Sequence, residues 1–351
     1  MILNLINSFL KKIQSQHKGF TLIELCVALV VFGGPLVVWK TSPAHFLGAK
    51  RLERFGDSVL VYKDPQTYEL AFPDADVMGG SCQSTILPVS NWTISAMNDF
   101  VTADLGVSQN NPAFFSKNAP FFSVVLWGSS NFNTNLNGVC DTFDFTDTFN
   151  SSNVTHMEYV HSVNSSGFDT LHWDNFNKRM HKTRSPIGNC VLDIGDNRVH
   201  SHLSSATITA IAEDRWGLAG GFFIYDLVSD DILLGSIDVD ESYSLFITRR
   251  ELLSATGESQ VDLSGSLTSA PNGDLYAWDK ISKSLLKYSM RQGTITQVLT
   301  QNNIQVKTGG DGVNIVDIDY LISDRMTPNE AVVLLDSFTG SVLLYFPSLD
   351  N

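Results

Sequence analysis

Apolar residues form one long run near the start of the chain and many short runs after it. The long run extends from Phe20 to Trp39 and contains one charged residue, Glu24. As a helix, a segment of this length would extend about 30 Å, which matches the hydrocarbon core of a bilayer. The pattern therefore predicts a transmembrane helix over residues 20–40.

Downstream of the long run, the apolar positions change to short runs of β-branched and aromatic residues, separated by polar stretches that favour turns. Runs of this length and composition are typical of strands. The pattern predicts an all-β head over residues 57–351. Between the long run and the head, apolar side chains at Phe46, Leu47, Leu52 and Phe55 predict a short linker helix over residues 41–56.

A short pattern recurs along the head: an apolar strand ends at Asp, Ser or Thr follows three residues later, and a second apolar strand begins. Both residue types form hydrogen bonds across tight turns, so the pattern predicts a β-hairpin. The clearest copies lie in Phe222–Leu234, Leu275–Leu286 and Val332–Tyr345. Together with two weaker copies, the strand-ending aspartates are Asp64, Asp174, Asp226, Asp279 and Asp336.

The spacing of these aspartates is regular, with successive intervals of 110, 52, 53 and 57 residues. The first interval is about two periods, so a degenerate copy is expected near Val124–Leu136, with Trp127 and Gly128 in place of a Trp-Asp pair. A repeat of this size is typical of a β-propeller blade. We predict a propeller-like head of about six blades, with β-sandwich domains as the alternative. Ring closure would place Val59–Tyr62 beside Val342–Tyr345.

Positive charges precede the long apolar run. Residues 1–19 contain Lys11, Lys12 and Lys18 and no acidic residue. Basic residues keep their side of a membrane segment in the cytoplasm, so the head is expected outside it. A carboxylate inside such a run, here that of Glu24, is costly and calls for a partner.

The segment from Lys18 to Leu25, KGFTLIEL, resembles the processing site of prepilins, the precursors of type IV pilins and pseudopilins. The resemblance implies a leader peptide over residues 1–19, cleavage by prepilin peptidase between Gly19 and Phe20, and methylation of the new N-terminus at Phe20. It also implies that Glu24 pairs with the N-terminal amine of a neighbouring subunit during assembly. The partners of this segment would be prepilin peptidase, other pilins and the inner membrane.

Beyond this segment the chain departs from the shaft pilins. Gly33-Gly34-Pro35 and then Pro43 interrupt the helix early, so the long amphipathic spine of a major subunit is missing. We therefore expect a minor pilin-like subunit whose head serves adhesion or pilus assembly priming. A pseudopilin of a secretion system and a membrane-tethered propeller enzyme are the alternatives. The prepilin would reside in the inner membrane, and the mature protein in a pilus, at the cell surface or in the periplasm.

Charge and cysteine content narrow the partners of the head. The net charge of −14 disfavours nucleic acid, whose phosphates would be repelled. The amide- and aromatic-rich stretch Asn131–Asn153 suits a surface receptor or a carbohydrate. Cys26 lies in the apolar run. In an oxidising compartment, one disulfide is expected among Cys82, Cys140 and Cys190, with Cys82–Cys140 slightly preferred.

Sequence motifs for catalysis are missing: the chain has no Gly-rich phosphate loop, no HExxH and no GxSxG. We predict neither catalytic residues nor a resident cofactor. The one weak candidate for a metal is an acidic stretch containing Asp311, Asn314, Asp317 and Asp319, whose oxygens would suit calcium. The stretch does not follow the EF-hand pattern, and we interpret it as a solvated acidic loop.

Overall fold

A computed structural model describes the strands of the chain and, from residue 203 onward, most of their side chains. The described residues are 36–38, 47–55, 58–64, 67–73, 82–86, 100–103, 113–118, 121–127, 136–144, 154–160, 167–175, 178–186, 193–194, 203, 205–215, 221–236, 243–309, 312–322 and 328–349.

The strands of this described part form six four-stranded antiparallel sheets. Sheet 1 contains β2 (Arg51–Phe55), β3 (Ser58–Asp64), β4 (Thr67–Pro73) and β5 (Cys82–Ile86). Sheet 2 contains β6 (Phe100–Ala103), β7 (Ala113–Asn118), β8 (Phe121–Trp127) and β9 (Leu136–Asp144). Sheet 3 contains β10 (Val154–Val160), β11 (Gly167–Asp174), β12 (Arg179–Pro186) and β13 (Asp193–Ile194).

The remaining sheets have the same plan. Sheet 4 contains β14 (Ile208–Glu213), β15 (Gly221–Asp226), β16 (Asp231–Ser236) and β17 (Ser244–Ile247), followed by helix α1 (Arg249–Thr256). Sheet 5 contains β18 (Leu267–Ser269), β19 (Leu275–Asp279), β20 (Ser284–Ser289) and β21 (Thr294–Thr300), followed by helix α2 (Gln301–Thr308). Sheet 6 contains β22 (Ile315–Ile322), β23 (Glu330–Asp336), β24 (Ser341–Tyr345) and, at its outer edge, β1 (Leu36–Val38).

The first strands of the sheets contact one another in a closed ring, which runs through β2, β6, β10, β14, β18 and β22 and returns to β2. Neighbouring first strands run in the same direction. The N–H of Gly265 donates to the carbonyl of Thr209 near the starts of β18 and β14, and the N–H of Arg215 donates to Ser269 Oγ near their ends. The sheets therefore surround a common axis. This arrangement confirms the prediction of an all-β, propeller-like head and not the stacked sheets of a β-sandwich.

Apolar side chains fill the spaces between neighbouring sheets. Separate buried clusters lie between sheets 3 and 4, 4 and 5, 5 and 6, and 6 and 1. Sheets 4, 5 and 6 are thus covered on both faces, which explains why their second strands are largely apolar rather than alternating. Every residue of β15, β19 and β24 is buried, and in β23 only Glu330 is partly exposed. Trp173 and Trp278 are among the largest fully buried side chains.

A buried aspartate ends the second strand of sheet 5 and organises the turn that follows. Oδ1 of Asp279 accepts hydrogen bonds from the N–H groups of Asp262, at 2.9 Å, and Ile281, at 3.1 Å. Oδ2 accepts one from the N–H of Ser282 at 3.0 Å. One carboxylate thus ties the hairpin between the second and third strands to the segment that leads into the first strand. We call this group the hairpin carboxylate.

Sheets 4 and 6 repeat this arrangement with Asp226 and Asp336. Their Oδ1 atoms accept from the lead-in residues Thr207, at 2.8 Å, and Asn314, at 2.9 Å. Each also accepts from the N–H two residues further along the turn. Their Oδ2 atoms accept from a hydroxyl three residues later, as the sequence pattern predicts. In sheet 5 the hydroxyl of Ser282 bonds to Ser284 instead.

All five aspartates of the sequence repeat end the second strand of a sheet, which confirms the hairpin prediction. The position proposed for the degenerate copy is wrong. Val124 and Trp127 lie in β8, the third strand of sheet 2, and the second strand ends at Asn118. Asn118 pairs with Phe121 across the hairpin, so an amide residue, not an aspartate, occupies this place in the repeat.

The fourth residue after the strand-ending aspartate has a left-handed backbone in sheets 3, 4, 5 and 6, whereas the corresponding residue of sheet 1, Tyr68, lies in β4. The φ angles are 55° at Lys178, 59° at Asp230, 51° at Lys283 and 68° at Gly340. Glycine alone adopts this region without steric cost, so three of these four hairpins carry a small strain. The turn geometry is therefore imposed by the surrounding bonds rather than by the local residue.

Ring closure is made by β1, which pairs with β24 at the edge of sheet 6. Leu36 is opposite Tyr345 and Val38 is opposite Leu343. The predicted helix over residues 20–40 is therefore wrong at its C-terminal end, because these β-branched and apolar residues complete a sheet and Leu36 is buried against its core. Residues 20–35, including Glu24, lie outside the described part of the chain. No helix in the described part is long and apolar enough to cross a membrane.

Two further expectations need correction. Residues 51–55 form strand β2, so the predicted linker helix over residues 41–56 is wrong in that part; Leu52 faces the core between sheets 6 and 1. The predicted neighbours Val59–Tyr62 and Val342–Tyr345 do meet, since Val59, Val61, Val342 and Leu344 share that core. They meet by packing between sheets, because β1 occupies the pairing edge of β24.

The hairpin carboxylate of sheet 5 is testable by Asp279→Ala. This change leaves three N–H groups without their acceptor, one of them the lead-in to β18, and should lower the free energy of unfolding by about 3–5 kcal/mol. Chemical denaturation measures the loss. Glu258→Ala, at an exposed carboxylate just before the same sheet, should change stability by less than about 0.5 kcal/mol. Equal effects of the two changes would contradict the role of Asp279.

Closure by β1 is testable by Leu36→Asp. An unpaired carboxylate at this buried position should lower the free energy of unfolding by about 4 kcal/mol or more, because sheet 6 would lose its outer strand. Thermal unfolding of the head measures the effect. The control is Leu47→Asp, which alters an exposed leucine nine residues downstream of β1 and should be nearly neutral. A wild-type melting temperature for Leu36→Asp would show that β1 is dispensable.

Candidate functional site: a charged pocket on the propeller axis

A pocket of about 460 Å³, counting the solvent at its mouth, opens where the first strands meet. Its lining comes from sheets 1, 3, 4, 5 and 6. Six charged side chains line it, four carboxylates and two guanidinium groups: Arg51, Glu158, Glu213, Arg215, Asp317 and Asp319. Because first strands surround the axis, a side chain that points away from the sheet cores points into this space.

Asp317 joins sheet 6 to sheet 1 at the edge of the pocket. Its Oδ2 accepts a hydrogen bond from the N–H of Leu52 at 2.8 Å and lies 3.3 Å from Arg51 Nε. Its Oδ1 accepts from the N–H of Ile318 at 3.0 Å. This buried carboxylate therefore fixes where β2 begins relative to β22 and holds the Arg51 guanidinium at the wall.

Arg215 joins sheet 4 to sheet 6 on another side of the pocket. Its Nε lies 3.4 Å from Glu213 Oε2, and its Nη2 lies 3.6 Å from Asp319 Oδ1. Its Nη1 donates to the carbonyl of Tyr320 at 3.1 Å. The guanidinium is thus held in one orientation by three partners from two sheets, which is the geometry that makes arginine effective in ordered charge networks.

Asp319 is itself held by donors from sheets 5 and 6. Its Oδ1 accepts from Thr268 Oγ1 at 3.1 Å and from the N–H of Tyr320 at 2.6 Å. The Asp319 carboxylate is therefore held in one position on the axis by donors from two sheets.

Glu158 brings a carboxyl of different character to the same pocket. Its pKa is raised well above the ordinary value of 4.5, first because burial disfavours the charged form and then because of the negative charge of Asp319. Glu213 acts in the same direction, and Arg215 and Arg51 oppose it. The pocket therefore places one carboxyl with a raised pKa among three other carboxyl groups and two guanidinium groups.

This set of groups suits a small polar ligand that carries a positive charge or several hydrogen-bond donors. The carboxylates outnumber the guanidinium groups, and the guanidinium groups are already paired with carboxylates of the wall. A protonated Glu158 could also donate a hydrogen bond or a proton. Among the residues that the structure describes, no group of His, Cys, Asp and Glu is arranged to hold a metal ion.

The candidate metal stretch is not a single loop. Asp317 and Asp319 lie in β22 and line the pocket, whereas Asn314 is exposed before the strand and its Nδ2 donates to Ser337 Oγ at 2.8 Å. Strand alternation explains the separation, since residues two apart in β22 share a face and the lead-in residue serves the hairpin. Asp311 lies outside the described residues, and the calcium prediction loses its geometric basis.

The other sites predicted from the sequence lie mostly outside the described part. This holds for Gly19, Phe20, Glu24 and Cys190. Cys82 begins β5 and Cys140 lies in β9, both in the fourth strands of their sheets rather than in flanking loops. Their side chains are not described, so the disulfide stays a prediction.

Most of the pocket residues carry a signal that sequence reasoning missed. Charged or ionisable residues stand two apart at His156 and Glu158, at Glu213 and Arg215, and at Asp317 and Asp319. Each pair lies in, or directly after, the first strand of a sheet. In a unit whose second strands are largely apolar, such pairs at strand spacing mark the face turned toward the axis.

No protein-family model matches the chain, and no curated protein matches it in sequence. Solved structures do resemble it in fold. They include a protein of unknown function from Bacteroides thetaiotaomicron, with 10% identity, a TM-score of 0.54 and coverage of 89% of this chain and 75% of that one. A luciferin-regenerating enzyme shows 9% identity, a TM-score of 0.51 and coverage of 89% and 95%. Virginiamycin B lyase from Staphylococcus aureus shows 8% identity, a TM-score of 0.50 and coverage of 88% and 97%. These likenesses show the fold alone, that of a β-propeller.

The character of Glu158 is testable through the pH dependence of stability. A carboxyl whose pKa is raised by folding contributes stability that is fully present below its unfolded-state pKa and is lost as the pH rises through its folded-state pKa. The free energy of unfolding of the wild type should therefore fall above about pH 4.5, by at least about 1 kcal/mol relative to Glu158→Gln. Denaturation curves across this window measure it. Glu258→Gln, at an exposed position, should track the wild type, and parallel curves for Glu158→Gln would refute the assignment.

Proposed function

We propose that the protein is a minor pilin-like subunit, in which an N-terminal segment anchors and assembles the chain and a β-propeller head is displayed outside the cytoplasm. The observation that carries the proposal is the sequence from Lys18 to Leu25, which has the processing site, the following apolar run and the early Glu24 in prepilin order. The propeller then supplies what a displayed head needs, a rigid fold with a pocket that can bind a ligand.

The closing strand changes the expected geometry of the anchor. Between the proposed mature N-terminus at Phe20 and the start of β1 at Leu36 there are sixteen residues. As a helix they would extend about 24 Å, which is short of a full bilayer core. A pilin-like subunit of this kind would therefore hold its head directly at the membrane surface or at the filament core, without an intervening spine.

This geometry favours a minor subunit over a shaft subunit. A shaft requires each head to fit beside many others around closely packed helices, and a six-sheet head attached without a spacer would obstruct that packing. A position at a pilus tip, or a role in priming assembly or in adhesion, places no such demand. A pseudopilin of a secretion system, whose head would contact cargo, satisfies the same constraint and is the first alternative.

The axial pocket favours a second alternative, a membrane-tethered propeller enzyme. Burial and then the charge of Asp319 raise the pKa of Glu158, and a pocket carboxyl with a raised pKa suits general acid catalysis. A screen of the full chain against hydrolase substrates separates the two functions. Turnover that is lost in Glu158→Gln would support the enzyme, whereas ligand binding without turnover would support a displayed binding head.

Processing at Gly19 tests the pilin-like function. Mass spectrometry of the protein from a host with prepilin peptidase should find an N-terminal Phe20 that carries one methyl group. Gly19→Ala should abolish cleavage, because the peptidase in pilin-like proteins acts after this glycine. Glu24→Ala is the matched control: it should be cleaved and methylated normally but should enter filaments poorly. An uncleaved wild-type chain, or normal cleavage of Gly19→Ala, would exclude a prepilin.

A further inference from the structure

Exposed apolar side chains are concentrated at one end of the propeller. This end is defined by the starts of the first strands and by the hairpins between second and third strands, and we call it the hairpin face. Seven large apolar residues are exposed in the described part of the chain, and six of them lie on this face: Leu47, Leu227, Val228, Ile281, Val306 and Phe338. The seventh, Leu245, lies within β17.

Three of these side chains occupy the same place in the repeat. Val228, Ile281 and Phe338 each follow a hairpin carboxylate by two residues, and they are 63%, 46% and 55% exposed. Leu47 joins them, because the N–H of Gly48 donates to the carbonyl of Ser337 in the sheet 6 hairpin. In sheets 4, 5 and 6 the turn geometry thus places one apolar side chain at the tip of the hairpin, away from the core that its neighbours form.

The most exposed charged residues of this face are mainly basic, although Asp230, Asp231 and Asp262 are partly exposed there and Asp230 lies 3.4 Å from Arg249. The chain has a net charge of −14. On the described part of the hairpin face, two exposed residues are acidic, Glu251 and Glu258, and six are basic: Lys50, Arg249, Arg250, Lys280, Lys283 and Lys307. Both helices lie on the hairpin face. Helix α1 follows Ile247, which pairs with the start of β16, and helix α2 follows Thr300, which pairs with the start of β20; both strand starts are at this face.

We infer that the hairpin face is a docking surface for an anionic lipid bilayer. Basic residues supply attraction to anionic headgroups, and apolar side chains on protruding tips can enter the interface between headgroups and acyl chains. The described apolar tips belong to separate turns of sheets 4, 5 and 6 and to the segment before β2, whereas the core of a protein–protein interface is a contiguous apolar patch. The inference does not depend on the proposed pilin-like function, since it rests on the exposed residues of the head alone.

The direction of β1 sets this face apart from the predicted anchor. Leu36 pairs with Tyr345, at the end of β24 far from the sheet 6 hairpin, and Val38 lies nearer that hairpin. Strand β1 therefore begins at the end of the propeller opposite the hairpin face. A head anchored through the segment before Leu36 would present the hairpin face away from its own membrane, toward a second lipid surface.

The test uses the full chain and one hairpin. Lys280→Ser/Ile281→Ser/Lys283→Gly removes two positive charges and one apolar tip, and glycine suits the left-handed backbone at position 283. The control, Leu245→Ser/Arg291→Ser, removes an exposed apolar and an exposed basic residue that lie off this face. Binding is measured by sedimentation with vesicles of phosphatidylcholine alone and with about one third phosphatidylglycerol, so that binding through the N-terminal segment, which all variants share, can be subtracted.

The hairpin variant should lose about 30-fold in apparent affinity for the phosphatidylglycerol vesicles, since each basic residue near an anionic surface adds roughly fivefold. The control should bind like the wild type, and added salt should weaken wild-type binding. Both variants should melt like the wild type. Equal binding by the hairpin variant, or wild-type binding that ignores phosphatidylglycerol, would overturn the inference. A change of oligomeric state in the hairpin variant, with vesicle binding intact, would instead assign the face to a second copy of the chain.

Discussion

The hairpin carboxylate is the interaction on which the order of this propeller depends. One buried carboxylate accepts hydrogen bonds from two separate segments: the turn that follows the second strand and the segment that leads into the first strand. It therefore sets the register of the first strand within its sheet. Since the first strands alone surround the axis, the same bonds decide which side chains reach the pocket. In sheet 6, the bond between Asp336 and the N–H of Asn314 lies just ahead of the pocket residues Asp317 and Asp319.

The repeat could be predicted from the sequence because an aspartate at the end of an apolar strand indicates a turn, and three aligned copies occur at nearly constant intervals. The closing strand could not be predicted in this way. Leu36–Val38 lies inside an apolar run whose length fits a membrane helix, and only pairing with β24 distinguishes strand from helix there. The copy in sheet 2 was also hidden, because Asn118 takes the place of the aspartate.

The pocket was only partly predictable, for a different reason. Alternating charged residues such as Glu213 and Arg215 indicate one exposed face of a strand, but they do not say which faces of distant strands meet. That information resides in the ring, which brings Arg51 to Asp317 across most of the length of the chain. The raised pKa of Glu158 depends first on its burial and then on Asp319, a residue of another sheet, and both follow only from the three-dimensional structure.

The position of β1 has a mechanical consequence. Any tension applied to the chain before Leu36 reaches the head through a three-residue strand at the edge of sheet 6. Strand β1 runs antiparallel to β24, and its first residue lies at the end far from the hairpin face. A force applied between the N-terminus and the hairpin face would therefore act along the strand. It would load the three residue pairs of the ladder in shear at the same time instead of breaking them one after another. The strand that closes the ring would then also be the element that bears the applied force.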